Sequence, residues 1–96
     1  MKLLFADAAR ADLLDAWLYI AKENISAADK VIDQIESTVS LLCTQPKMGR
    51  VRLDLQMGLR SFPCKFPYTI YYRLTADALQ VVRVLHQSRD ITRLFG

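Results

Sequence analysis

The sequence predicts an α+β fold: a short N-terminal strand, an antiparallel helical hairpin, and a C-terminal antiparallel meander of three strands on which the hairpin packs. Three observations predict it. Apolar residues recur at helical spacing in two consecutive segments of the N-terminal half. Only a residue or two around Asn24 to Ser26 separates those segments, so the helices turn back on each other. After Pro46 and Gly49 the period changes to the alternation of strands. A chain of 96 residues holds one domain with one core, so residues 1–96 are read as a single unit.

Lys2 to Phe5 is a short apolar run with strand character, and Asp7 then offers a side-chain oxygen to cap a helix. In that helix Leu13, Leu14, Trp17, Ile20 and Ala21 form the inward stripe, while Asp12, Asp15, Tyr19 and Lys22 lie toward the other side; it runs to about Asn24. Ser26, with Asp29 three residues on, resembles a capping box and opens the second helix. Its buried face is Ala28, Val31, Ile32, Ile35, Val39 and Leu42, and Pro46 and Gly49 end it. Val51, Leu53 and Leu55 alternate with Arg52 and Asp54 in a short extended segment between Arg50 and Arg60. From Arg60 to Phe66, Phe62, Cys64 and Phe66 alternate with Ser61, Pro63 and Lys65, and the internal proline argues for an edge or a bulge. Tyr68 to Arg73 follows a turn at Pro67. Leu79 to Leu85 is a near-continuous apolar run suited to a well-buried strand. Adjacent Tyr71 and Tyr72 must face opposite ways, one into the core and one away. Leu13, Trp17, Ile20, Val31, Ile35, Val39, Ile70, Val82 and Val84 are the expected core, and Gly49 and Gly58 the expected special turn conformations.

Charge divides the chain. Met1 to Pro46 carries four basic and seven acidic residues, a balance of −3, whereas Lys47 to Gly96 carries nine basic residues against Asp54, Asp77 and Asp90, a balance of +6. Most of those nine cations are arginine, whose planar fork suits carboxylates and phosphates. A small core and a basic, arginine-rich half together point to a partner, either an acidic protein segment or a nucleic-acid complex. The apolar runs are broken by charge too often to span a membrane, and Asp7 and Arg10 interrupt any export signal, so a cytoplasmic protein is expected. Cys43 and Cys64 lack paired spacing and only one histidine is present, so they are read as buried apolar side chains, with no metal or cofactor expected.

The candidate contact residues are Arg50, Arg60, Arg83, His86, Arg89 and Arg93. Arg50 and Arg60 flank the extended segment, as anchors for carboxylates or as solvated charges. His86 lies close to Arg83, Arg89 and Asp90, and a histidine can act as a general base near neutral pH. On a straight strand, however, Arg83 and His86 face opposite ways and converge only at a bulge or strand end. His86 is therefore read either as a structural hydrogen-bonding group at the strand end or as a target contact.

The runs AWLYIAKEN (Ala16 to Asn24), QPKMGR (Gln45 to Arg50), GLRSFP (Gly58 to Pro63), YTIYYR (Tyr68 to Arg73) and RVLHQSRD (Arg83 to Asp90) occur in the order typical of ParE-type toxins. Over nearly its whole length the chain resembles that branch of the ParE/RelE type II toxin-antitoxin superfamily. The resemblance implies a RelE/ParE-like fold and a growth-inhibiting toxin of the kind found in plasmid stabilization systems. Such a toxin inhibits DNA gyrase when free, is neutralised by a ParD-like antitoxin, and meets DNA only through its antitoxin or target complex. The same superfamily contains RelE-like ribosome-dependent mRNA interferases, which cleave with lysines, arginines and a late tyrosine. This chain has Thr69 where those enzymes carry an arginine, and its C-terminal stretch carries Leu94 and Phe95 in place of a tyrosine, which demotes the interferase reading. A third reading is an inactive homologue retained as a partner-binding or autoregulatory module.

Overall fold

A computed structural model describes residues 1–65 and 67–95; Phe66, read above as the last residue of its alternating segment, lies outside the described residues. In chain order the elements are β1 (Lys2–Phe5), α1 (Asp7–Ala21), α2 (Ile25–Thr44), β2 (Arg50–Val51), β3 (Leu59–Pro63), β4 (Tyr68–Leu74), β5 (Ala78–His86) and α3 (Thr92–Phe95). The strands form one sheet in the order β1-β5-β4-β3-β2. The expected meander β3-β4-β5 is its antiparallel centre. The N-terminal strand adds in parallel to β5, pairing Lys2 with Ala78 and Phe5 with Val81. The extended segment contributes a two-residue edge strand, pairing Arg50 with Ser61 and Val51 with Arg60.

The hairpin covers one face of this sheet, with α1 against β5 and α2 against β4. Its core joins Ala9, Ala16, Val31, Ile35, Val39 and Leu42 of the helices to Ile70, Tyr72, Leu79, Val81 and Val84 of the strands. Leu13 and Ile20 pack at its margin, as does Cys43, while Cys64 is buried within it. The opposite face holds a smaller cluster of Leu59, Tyr71, Leu85 and Phe95, with Val82 packed beside it. Val82 thus lies on the far side from where a single core places it. The reason is a bulge: β5 pairs Val81 with Tyr72 but Arg83 with Tyr71, which leaves Val82 as an extra residue. Tyr71 and Tyr72 do face opposite ways, but both are buried, because both faces are covered.

Several helix details differ from the sequence reading. Ala6, not Asp7, is the α1 N-cap, because its backbone N–H already donates to Val81 O in continuation of the β1 ladder. Asp7 sits in the first turn, where its charge still complements the helix dipole. The helix stops at Ala21 instead of Asn24, and Asn24 caps α2 by accepting from Ala27 N at 3.0 Å, the role assigned to Ser26. The buried stripe of α1 is Ala9, Asp12 and Ala16. Leu14 is exposed, and Trp17 is half-exposed outside both clusters, its indole N–H donating to Asp29 Oδ1 at 2.8 Å to tie the two helices. Small Ala9 and Ala16 let the α1 backbone approach the sheet, Leu13 and Ile20 flank the contact, and Leu14, Leu18 and Tyr19 are turned outward. Gly58 has the positive φ, 78°, expected of a turn glycine. Gly49 does not; there a Cβ would run into the Tyr72 ring, so glycine is required by close approach. No helix among the described residues is long and apolar enough to cross a membrane.

Candidate functional site

Where β1 ends opposite Val81, β5 continues alone to His86 and would present bare backbone to α1. Asp12 fills that gap. Its Oδ2 accepts from Val84 N at 2.9 Å and from Arg83 Nε at 2.8 Å, and its Oδ1 accepts from Arg83 Nη2 at 2.8 Å. The carboxylate is buried, so this bidentate pair is a charge-assisted lock between helix and sheet. The hydrogen bonds that the Arg83 guanidinium donates to Asp12 push it above its usual range, against partial desolvation that acts the other way. Asp12, placed on the outer side of its helix by the sequence reading, is thus an inward-facing residue, and Arg83 is occupied by it.

Beside this lock runs a groove of about 350 Å³ between α1 and the end of β5. Asp15, Ala16 and Tyr19 form one wall, Tyr68, Val84 and His86 the other, and Ser88 and Arg89 close the end. His86 stands edge-on to Tyr68, ring centroids 5.4 Å apart. Its Nδ1 accepts from Ser88 N at 3.1 Å and lies 2.8 Å from Ser88 Oγ, which leaves Nε2 as the ring nitrogen without a partner among the described residues. The structure therefore unites His86 with Arg89 at one groove, while Arg83 serves its floor through Asp12. Arg93 stands on α3, with Nε 3.8 Å from Asp90 and its side chain 88% exposed.

A second set of bonds lies toward the β2 side of the sheet. Tyr72 Oη donates to Pro46 O at 2.7 Å and accepts from Gly49 N at 2.9 Å, and Arg60 Nη1 donates to Gly49 O at 2.8 Å and Lys47 O at 3.3 Å. Together they clamp the loop leaving α2. Burial raises the Tyr72 phenol, with the Gly49 N–H and nearby Arg60 opposing. Arg60 is thus a structural clamp, whereas Arg50 is exposed on the edge strand. Sequence reasoning missed Arg52, which bonds Asp54 at 2.9 and 3.1 Å and Ser61 Oγ at 3.2 Å. It also missed Arg73, which donates to Met57 O at 2.7 Å. The signal for Arg52 was the adjacent Asp54; Asp12 and Arg83, far apart in the chain, offered none.

No group of three His, Cys, Asp or Glu side chains among the described residues is placed to hold a metal ion. With Arg52, Arg60, Arg73 and Arg83 committed to internal bonds, the exposed cations of the basic half are Lys47, Arg50, Lys65, Arg89 and Arg93.

The family model described as "ParE toxin of type II toxin-antitoxin system, parDE" matches residues 3–91. The chain belongs to the ParE toxin family. Among curated ParE relatives, Toxin ParE3 of Caulobacter vibrioides is 32% identical over 72 residues, covering 75% of this chain and 71% of that one. Toxin ParE1 of Mycobacterium tuberculosis is 27% identical over 92 residues, covering 94% of this chain and 93% of its own. The fold is shared with a solved structure described as the chromosomal ParDE TA system from P. aeruginosa, with a TM-score of 0.77 at 23% identity over 90% of this chain and 95% of that one. The ParE-type resemblance and the α+β architecture are thereby both established, and the ParE toxin belongs to a type II ParDE system with an antitoxin partner.

Proposed function

We propose that this ParE-family toxin acts in the cytoplasm by inhibiting DNA gyrase when free, and that a ParD-like antitoxin neutralises it. Family membership over residues 3–91 supports this reading. The observation that carries a binding over a cleaving role is the fate of the arginines. Cleavage through a 2′-hydroxyl needs cations gathered around the scissile phosphate together with a base and an acid. Arg83 on β5 is held by Asp12 and Arg60 on β3 by two backbone carbonyls, with β4 between them, and Phe95 packs its ring 5.0 Å from Tyr71. His86, Arg89, Arg93 and Arg50 are the proposed contacts, with Arg60 and Arg83 holding the surfaces that present them.

Growth on induction should cease without the antitoxin and resume with it. Purified protein should block supercoiling by gyrase or trap cleaved DNA, and should leave mRNA intact in a coupled translation reaction. Codon-positioned mRNA cuts would establish the interferase instead. Inactivity in both assays alongside tight antitoxin binding would establish the inactive module.

A further inference from the structure

The closed end of the groove between α1 and β5 gathers polar side chains on a turn that is already formed. Arg89 N donates to His86 O at 3.0 Å, and Gln87 N donates to Pro67 O at 2.7 Å. Because His86 Nδ1 accepts from Ser88 N, the neutral ring carries its proton on Nε2, and that nitrogen is a donor and not a base. Arg89 has no carboxylate within ion-pair distance among the described residues. Ser88 Oγ stands beside both. Donors on three neighbouring side chains suit a tetrahedral anion with several oxygens better than a planar carboxylate. The walls ask for more than an anion. Tyr68 is buried and fixed edge-on to His86, and Tyr19, 73% exposed, lines the groove from α1. Burial raises the Tyr68 phenol and nearby Tyr19 raises it further, so the two phenols are neighbours across the groove. Asp15, one helical turn before Tyr19, has no cation within ion-pair distance among the described residues and offers an acceptor, whereas Asp12 is already neutralised by Arg83. A flat ring bearing an amine, joined to a phosphate, answers all three features. The polar groove along α2 beside Lys30, Asp33 and Ser37 is built from one helix and has no aromatic wall.

We infer that this groove binds one nucleotide, with its base against Tyr19 and Tyr68, an exocyclic amine of the base donating to Asp15, and its phosphate held by His86, Ser88 and Arg89. A volume of about 350 Å³ is at the small end of ligand pockets and suits a single unit of this kind. Stacking on aromatic side chains supplies affinity for any base, and the Asp15 carboxylate selects bases that carry an amine. The nucleotide comes either free or as one residue of a single strand, since both present the same base and phosphate. The inference gives His86 and Arg89 of the proposed contact set a ligand, and it does not depend on gyrase being the target.

His86 is the sole histidine in the sequence, so its ring-proton NMR signals report on the groove in the unaltered protein. Titration with cytidine monophosphate should shift them and saturate at about millimolar concentration or below. Uridine monophosphate, with an oxygen in place of the amine, and cytidine, without the phosphate, should each bind about tenfold more weakly. Arg89→Ala should reduce the affinity for cytidine monophosphate to that for cytidine, and Tyr19→Ala should weaken both. Neither variant should move the melting temperature, because both side chains are exposed. A short oligocytidylate that binds more tightly than the mononucleotide would identify a strand as the source, and equal affinity would identify the free nucleotide. His86 signals that neither nucleotide nor oligonucleotide moves would overturn the inference. So would uridine monophosphate, inorganic phosphate or an acidic peptide binding as tightly as cytidine monophosphate. The gyrase reading would survive either result, because the supercoiling assay tests it separately.

Discussion

The two faces of the sheet are built from alternate residues of the same strands, yet they are covered very differently. Helices of 15 and 20 residues bury Ile70, Tyr72, Leu79, Val81 and Val84 on one side. On the other, Leu59, Tyr71 and Leu85 meet a four-residue helix carrying Phe95, and further across the sheet Arg52 bonds the buried Ser61. The hairpin face therefore carries most of the folding free energy. The thinly covered face can tolerate change, and its rim is where the exposed arginines stand. Tyr72 and Tyr71, neighbours in the chain, summarise the difference: one clamps a loop beneath the hairpin, the other packs against a terminal turn.

This contrast can be tested by the size of effects. The largest is expected from Asp12→Ala, which strands Arg83 beside the sheet with no counter-charge and leaves Val84 N unpaired; the loss should be about 3–5 kcal/mol in urea denaturation. Adding Arg83→Met should recover much of it, since an apolar replacement of a buried pair is often nearly neutral. Next, Ile70→Ala beneath the hairpin should cost about 2–5 kcal/mol. Phe95→Ala on the other face should cost only about 1–2 kcal/mol, because a helix of four residues opens locally at little expense. A reversed ranking of those two would break the comparison.

A smaller effect is expected in alkali. Burial raises the phenols of Tyr68, Tyr71 and Tyr72, so the fold favours their neutral forms. The unfolded chain ionises them from about pH 10, so stability should be full below that and fall as pH climbs through the higher folded-state values. Denaturation midpoints from pH 8 to 11, read beside phenolate absorbance, measure this. Smallest of all, Arg89→Ala with Arg93→Ala should change stability by less than about 0.5 kcal/mol, because both charges are exposed. The same pair should reduce growth inhibition. Loss of stability and toxicity together would move these residues from the surface into the fold.

The order of elements and the α2 face were legible because Val31, Ile35, Val39 and Leu42 repeat cleanly at helical spacing and are buried. The inward face of α1 was not, since apolar residues lie on several of its sides and size drew the reading toward Leu14 and Trp17. Close packing selected Ala9 and Ala16 instead, and with them brought Asp12 inward. The break in alternation along β5 was likewise hidden, because Val81, Val82 and Val84 look alike in sequence until Tyr72 and Tyr71 set the register. Of the six candidate contacts, Arg89 and His86 meet at a groove, and Arg50 and Arg93 stand exposed. Arg60 and Arg83 were consumed by backbone oxygens and a carboxylate, which no local spacing announces.

The pairing of Lys2–Phe5 with Ala78–Val81 also constrains when this toxin becomes dangerous. β1 has no neighbour until β5 emerges from the ribosome, and Asp12 has no counter-ion until Arg83 is made. Chains lengthen at about 5–20 residues per second, so for several seconds the nascent protein carries an exposed N-terminal strand and an unfinished sheet. A prematurely released chain lacking the final strand would lose both partners at once and become a substrate for proteolysis. β1 and β5 thus certify each other, and the finished surface arises only once β5 has been made.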